Sequence, residues 1–307
     1  MYAQTKNNDI SNRRIAFGRR LFCIFASFSK TGTIEPELVF LLQALHNICE
    51  NIAFISDNVF SDSEFDKIKD LVVYSECEKH GLYDFGSYAK GFQWFKNSKF
   101  YDETDELLFC NDSILGPYND LNKFFEKKNL LGNPEFFGCT INYLAHKEIH
   151  SHVQTYFFTV SKEIFRSDYF SEFFKSVKKE ESKTDVVINY EIGLTKMLES
   201  HNIKPRACFE NRLYNDPCRE FMEHFDEMFF IKKNRLKYYH IFKLNMLLKK
   251  IGFPFYIING KFVKKSFWFT VLIILCAVFE PARLIRSTSV YKKIKYNKKL
   301  DKMTHTN

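Results

Sequence analysis

The chain lacks the two glycine signatures from which nucleotide-binding enzymes are most readily read. It holds neither a G-x-G-x-x-G nor a G-x-x-x-x-G-K-[ST], so a dinucleotide enzyme or a P-loop phosphotransferase is not supported. Its eight cysteines form no C-x-x-C pair, and several sit inside apolar runs. That pattern predicts reduced core thiols in a cytosolic protein. No secretory signal is expected from the opening residues: the first twenty are polar, and the run after Arg19–Arg20, LFCIFASF, is strand-length with no cleavage pattern. The paired arginines lack the hydrophobic stretch of a twin-arginine export signal. No period points to a repeat solenoid.

Over most of the chain positive and negative charges nearly balance. The formal charge is +8, yet the residues from Arg283 onward carry eight Lys/Arg against Asp301 alone, a net +7. The preceding 282 residues are therefore nearly neutral, and a basic nucleic-acid-binding surface is not indicated. Ahead of that tail lies FWFTVLIILCAVF (267–279). As a helix it would be ~20 Å long, short of the ~30 Å hydrocarbon core, so it should not span a bilayer. It reads instead as a buried helix or as a segment dipping into one leaflet, with the basic tail on the headgroups.

What is abundant is apolar and aromatic matter, 45% hydrophobic residues with 35 Phe and 16 Tyr, ample for a core. LFCIFASF (21–28), NIAFIS (51–56), LVVYSE (71–76) and the strand Leu107–Cys110 read as strands. Between them lie EPELVFLLQALHNI with Pro36 near its start, SDSEFDKIKD with Ser61 or Ser63 as cap, and a helix around Ser87–Phe95. This alternation predicts an α/β domain with a mainly parallel sheet and helices on both faces. VVINY is read as a short strand leading into a helix near Tyr190–Glu191. The composition shifts after Pro205. The expected division is a polar arm over 1–20, a sheet domain over 21–205, and a helical C-terminal region over 206–307 ending in the apolar segment and basic tail.

Polar groups fall at the strand ends: Ser27, Asp57, Asp84 followed by Gly86–Ser87, and Asn111–Asp112–Ser113. Several such groups along one alternating half-sheet predict a nucleotide crevice, because ligands collect at the C-terminal ends of strands. In HKEIHSH (146–152), His146 and His150 would share a helical face as metal ligands. Glu148, however, does not directly follow the first His, where a zinc protease places its base. On an extended chain His146, His150 and His152 point to one side, and His152 and Gln154 read as hydrogen-bonding groups facing a cleft. Glu191 is either a first-turn acid complementing a helix dipole or a general base at the sheet edge.

These residues also carry a resemblance. RRLFCIFASF, YDFGSYAKGF (83–92), CNDSILGP (110–117), HSHVQTYFF (150–158), FRSDYFSEFF (165–174), YEIGLTKML (190–198) and FPFYIINGKF (253–262) together resemble the rhamnan synthesis protein F family of bacterial polysaccharide glycosyltransferases. The resemblance implies a GT-A-like (Rossmann-like) nucleotide-diphosphosugar transferase domain. It implies transfer of rhamnose or a similar sugar from a nucleotide-sugar donor to a lipid-linked cell-surface glycan. The protein would be cytoplasmic and peripheral on the inner membrane face, with no nucleic acid as partner. Asp57 would contact the nucleoside, with Ser27 among the nucleotide-sugar-binding groups. Asp84, Gly86 and Ser87 would meet the donor sugar and diphosphate. Asn111–Asp112–Ser113 would stand for an Asp-x-Asp motif, with Asp112 holding a divalent cation, Mg²⁺ or Mn²⁺. Glu191 would be the base, and His152 and Gln154 would line the acceptor side. Because the motif retains one carboxylate, a non-catalytic sugar-binding or assembly partner is the second class of function.

Overall fold

The fold is built outward from β1 (Leu21–Ser27), whose residues Phe22 to Ala26 are all buried. The computed structural model describes residues 18–264, apart from 50, 143–150, 212–219, 222, 240 and 259–260. His146, His150, the apolar run 267–279 and the basic tail lie outside the described residues. Among the described residues no helix is long and apolar enough to cross a membrane.

Around β1 the sheet collects β2 (Asn51–Ser56), β3 (Tyr74–Cys77), β4 (Glu106–Asn111), β6 (Phe136–Asn142), β7 (His152–Val153), β8 (Phe157–Ser161) and β9 (Arg206–Asn211). The two-residue β5 (Ile114–Leu115) lies off this sheet. The order is β3-β2-β1-β4-β8-β6-β7, with β9 on β6. β1 pairs in parallel with both β2 and β4, and β2 pairs in parallel with β3. β8 runs antiparallel between β4 and β6, and β9 is parallel to β6. The sheet is thus mainly parallel, as the alternation of elements predicts.

Side chains of β1 alternate between two cores, as the period of a strand requires. Phe22, Ile24 and Ala26 enter one cluster, with Phe85, Tyr88, Phe92 and Phe95 of the helix α2 (Tyr83–Lys96). Cys23 and Phe25 enter the other, with Leu38, Leu41, Leu42 and Leu45 of α1 (Pro36–His46) and Phe124 and Phe125 of α3 (Asn122–Leu130). Each fully buried Leu or Phe contributes ~1.5–3 kcal/mol, so the two layers hold the sheet from both sides. α2 approaches closely because residue 91 is glycine: a Cβ there would lie 2.5 Å from Cγ2 of Ile24. On the same side, α4 (Asp168–Lys175) is capped by Ser167, whose hydroxyl accepts the Phe170 N–H, and it buries Phe170 and Phe174. At the N-terminal end of β4, Glu106 and Lys128 pair while both are buried, and Arg19 Nη1 reaches Glu106 at 2.9 Å. Burial pushes the Lys128 ammonium pKa down, against the pull of Glu106.

Three local readings are corrected. β3 begins at Tyr74 and not at residue 71, because Lys69–Leu71 close a 3₁₀ turn in which the Leu71 N–H donates to Ile68. VVINY is helical. A capping box between Ser182 and Asp185 starts a helix at Lys183, which widens to a π-turn over Val187–Ile192 and continues as α5 (Gly193–Ser200). β9 directly follows Pro205, in a stretch with no evident strand alternation. Cys208 and Phe209 are buried there as it pairs with β6.

The chain divides into two compact units, the sheet belonging to the unit that spans Gln4–Leu213 and Asp226–Phe230. In the other unit, α6 (Ile241–Lys250) supports a hairpin of β11 (Phe255–Ile258) and β12 (Lys261–Lys264), while β10 (Ile231–Lys232) precedes them. Buried Asn245 locks helix to hairpin, donating to the Ile257 carbonyl at 2.9 Å and accepting the Ile257 N–H at 2.7 Å. The expected C-terminal helix is therefore accompanied by strands.

Candidate active site

The strand order 3-2-1-4 reverses direction between β1 and β4, and in open α/β sheets a crevice opens at such a point, beyond the C-terminal ends of the strands. Ser27 ends β1, and Asp112 directly follows β4. The Asp112 N–H donates to the Ala26 carbonyl at 3.2 Å, which stitches the two strand ends together. Asp112 Oδ2 accepts the Ser27 hydroxyl at 2.8 Å and the Phe28 N–H at 2.8 Å. The motif's one carboxylate is thereby fixed astride the switch point, and it remains partly exposed.

Asn111 and Ser113 are engaged with their neighbours. Buried Asn111 donates from Nδ2 to Asp84 Oδ2 at 2.9 Å, and its Oδ1 accepts from the Ser113 N–H at 3.1 Å and the Ser113 hydroxyl at 2.6 Å. Asp84 comes from the first turn of α2. The amide at the first position of the motif thus has a local cause: a carboxylate from elsewhere already stands against it. The crevice carries Asp84 and Asp112 as its acids.

Asp57, after β2, shapes the loop into α2. Its Oδ1 accepts the N–H groups of His80 at 2.7 Å and Gly81 at 2.9 Å. The His80 ring accepts the Leu82 N–H on Nδ1 at 3.1 Å and meets the Ser87 hydroxyl through Nε2 at 3.0 Å. An acceptor at Nδ1 leaves the proton on Nε2, so His80 donates to Ser87. Burial pushes the His80 pKa below its ordinary value, against the opposing pull of Asp57. A Cβ on Gly86 would lie 2.2 Å from Cβ of Leu82 and 3.0 Å from the His80 ring. Gly86 and buried Ser87, expected where the donor's sugar and diphosphate pass, hold the loop from within.

Glu191 Oε1 accepts the Thr155 N–H at 3.3 Å and lies 3.8 Å from Nε2 of His152. The His152 side chain, expected on the acceptor side, is only 2% exposed and backs Glu191. Gln154, partly exposed, is held through its N–H on the Thr140 carbonyl at 2.9 Å. Two consecutive residues join the halves of the site: Thr155 bonds Glu191, and the Tyr156 carbonyl accepts the Asn111 N–H at 3.0 Å. The buried Tyr88 hydroxyl adds a bond to the Thr155 carbonyl at 2.8 Å. Glu191 sits in the π-turn, an irregularity frequent at functional sites.

The structure thus brings Ser27, Asp84, Asn111, Asp112 and Ser113 into one network, Asp57, Gly86 and Ser87 into a second, and His152 and Glu191 into a third. Sequence reasoning missed His80, Tyr88 and Thr155. The only signal was the position of His80 just before the loop glycine; the bonds of Tyr88 and Thr155 are long-range. Among the described residues no three His, Cys, Asp or Glu side chains form a metal cage. The donor set fits a cation only where substrate phosphates complete its shell, with Asp112 as the protein carboxylate.

Comparison with known proteins gives relatives in sequence and in shape. A stretch of 133 residues is 32% identical to "Virulence protein VirA" of Vibrio anguillarum, covering 43% of this chain and 40% of that protein. The chain thus spans less than half the length of that curated relative. A cytidylyltransferase from Leptospira borgpetersenii superposes with a TM-score of 0.41 at 11% identity, covering 89% of this chain and 99% of the other. The mannosyltransferase Ktr4p from S. cerevisiae gives a TM-score of 0.35 at 11% identity, over 57% and 64% of the two chains. Likenesses of this size carry no argument about chemistry. The family model described as rhamnan synthesis protein F matches residues 52–249, more than half of the chain and all the site elements from Asp57 to Glu191; the chain belongs to the rhamnan synthesis protein F family.

Proposed function

We propose that the protein is a glycosyltransferase that moves a sugar, rhamnose or a similar hexose, from a nucleoside-diphosphate donor to a growing, lipid-linked cell-surface glycan. The observation that carries this reading is the Asp112 carboxylate fixed astride the ends of β1 and β4, with Asp84 bonded beside it through Asn111. In the step envisaged, an acceptor hydroxyl oxygen bonds to the anomeric carbon of the donor as the bond from that carbon to the diphosphate oxygen breaks. The hydroxyl proton passes to Glu191, and the nucleoside diphosphate leaves with the electron pair. General-base assistance of this kind contributes typically ~10²–10⁴ in rate. The Thr155 N–H and His152 hold the Glu191 carboxylate on the acceptor side, while Asp112 and Ser113 face the diphosphate. A divalent cation carried on the phosphates would be held by Asp112 and would neutralise charge on the leaving group.

Asn111 and Ser113, bonded to each other where a metal motif carries acids, favour a second reading: a sugar-binding partner in glycan assembly that does not turn over. Glu191→Gln separates the two. After a thermal-shift screen against nucleotide sugars identifies the donor, the variant is expected to bind it with nearly unchanged affinity while turnover falls by ~10²-fold or more, because the lost interaction belongs to the transition state. Unchanged turnover removes Glu191 as base. Donor binding with no turnover in the parent favours the assembly partner.

A further inference from the structure

Tyr83 is a bulky residue with φ of 57°, in the left-handed region that side chains of its kind rarely adopt. Hydrogen bonds fix the backbone on both sides of it. Asp57 fixes the N–H groups of His80 and Gly81, the His80 ring fixes that of Leu82, and the Leu82 carbonyl accepts the Gly86 N–H at 3.1 Å. The ring so placed is 43% exposed, and among the described residues it makes no hydrogen bond or ring contact. Phe28 is alike: it is 54% exposed with no ring partner among the described residues. The third exposed aromatic among the described residues, Tyr238, has Lys237 Nζ over its ring at 5.0 Å. Tyr83 directly precedes Asp84, and the Phe28 N–H holds Asp112. The two residues that carry unpartnered rings are thus tied to the two acids of the crevice, Tyr83 as the chain neighbour of Asp84 and Phe28 through its backbone N–H on Asp112.

An exposed ring contributes little to folding, and a left-handed tyrosine opposes it. Strain of this kind persists where function requires the placement. An open aromatic face takes a flat, partly apolar ligand group by stacking, and a nucleobase is such a group. We propose that Tyr83 and Phe28 are the aromatic walls of the donor site and stack on the nucleoside of the nucleoside-diphosphate sugar. This rests on the donor reading given above.

The test is calorimetric titration of the full chain with UDP, GDP and dTDP, each with Mg²⁺, against Tyr83→Asn and Phe28→Ala. Asparagine tolerates the left-handed region, so Tyr83→Asn removes the ring and the strain together. For the nucleotide the parent binds best, each variant is expected to show a Kd raised ~10-fold or more. The melting temperature of Tyr83→Asn should equal or exceed the parent's, and that of Phe28→Ala should stay close to it. Parent-like affinity in Tyr83→Asn overturns the aromatic wall and leaves the donor reading intact. A Tyr83→Asn protein that loses several degrees of stability also overturns it, since the ring is then structural. A parent that binds none of the three nucleotides removes the donor reading, and this proposal with it.

Discussion

Asn111→Asp restores a second acid to the motif, and the structure says that it will do harm. Asn111 Nδ2 lies 2.9 Å from Asp84 Oδ2 and donates to it. The variant replaces that donor with a carboxylate oxygen at the same place, in a buried position. Two unit charges at that distance repel by ~1.4 kcal/mol in water and by ~6 kcal/mol at an effective dielectric of ~20. The lost hydrogen bond adds ~1 kcal/mol, and sharing one proton between the acids relieves part of the repulsion. A net loss of ~2–4 kcal/mol at pH 7.5 is expected, or ~2–4 °C in Tm for each kcal/mol. The sign with pH follows from the shared proton. The pair's folded pKa is raised above the unfolded value of ~3.9, so the variant's stability is best below that pH and falls as pH rises through the raised value. Urea unfolding of parent and variant at pH 5 and pH 7.5 reads this directly: the deficit should be larger at pH 7.5. Equal deficits at both pH values, or a variant as stable as the parent, would refute the Asp84 contact as the cause of the asparagine.

Two further outcomes follow from the same geometry and from the sequence. Burial lowers the His80 pKa, so its contribution to stability is present above the unfolded value of ~6.5 and is lost as pH falls through the depressed folded value. His80→Asn should flatten that acid limb of stability; a limb unchanged in the variant assigns it to other groups. Membrane attachment is proposed to combine the apolar run 267–279 with the net +7 of the tail, each basic residue contributing ~1 kcal/mol at an anionic surface. Deleting 283–307 should therefore weaken sedimentation with anionic vesicles far more than with neutral ones, and equal binding to both, insensitive to salt, contradicts this attachment.

Much of the fold was legible because its signals are local. The apolar runs of β1, β2 and β4 and the i, i+3, i+4, i+7 leucines of α1 need no knowledge of distant residues to be read. Ser27 ends β1, Asp57 follows β2 and Asp112 follows β4, positions that the alternation of elements makes readable, while Asp84 stands in the first turn of α2. What was not legible depends on contacts across the chain. The β-branched Val186–Val187–Ile188 mimic a strand, and a capping box at Ser182 and Asp185 overrides them. Ser87 and His152 read as polar groups facing the donor and a cleft, yet His80 bonds one and Glu191 stands against the other. Asparagine in place of the motif's first acid reads as a loss until Asp84, 27 residues away, is found bonded to it.

The central claim is that Asp112 holds the donor's diphosphate end, and Asp112→Asn tests it most directly. An asparagine Oδ1 can still accept from the Ser27 hydroxyl and the Phe28 N–H, so the variant should fold as the parent does. With the donor identified by thermal-shift screening, its transfer rate should fall by ~10²-fold or more, the scale of a lost electrostatic contact to developing charge. Parent-like transfer by Asp112→Asn, both with and without a chelator, would contradict the account.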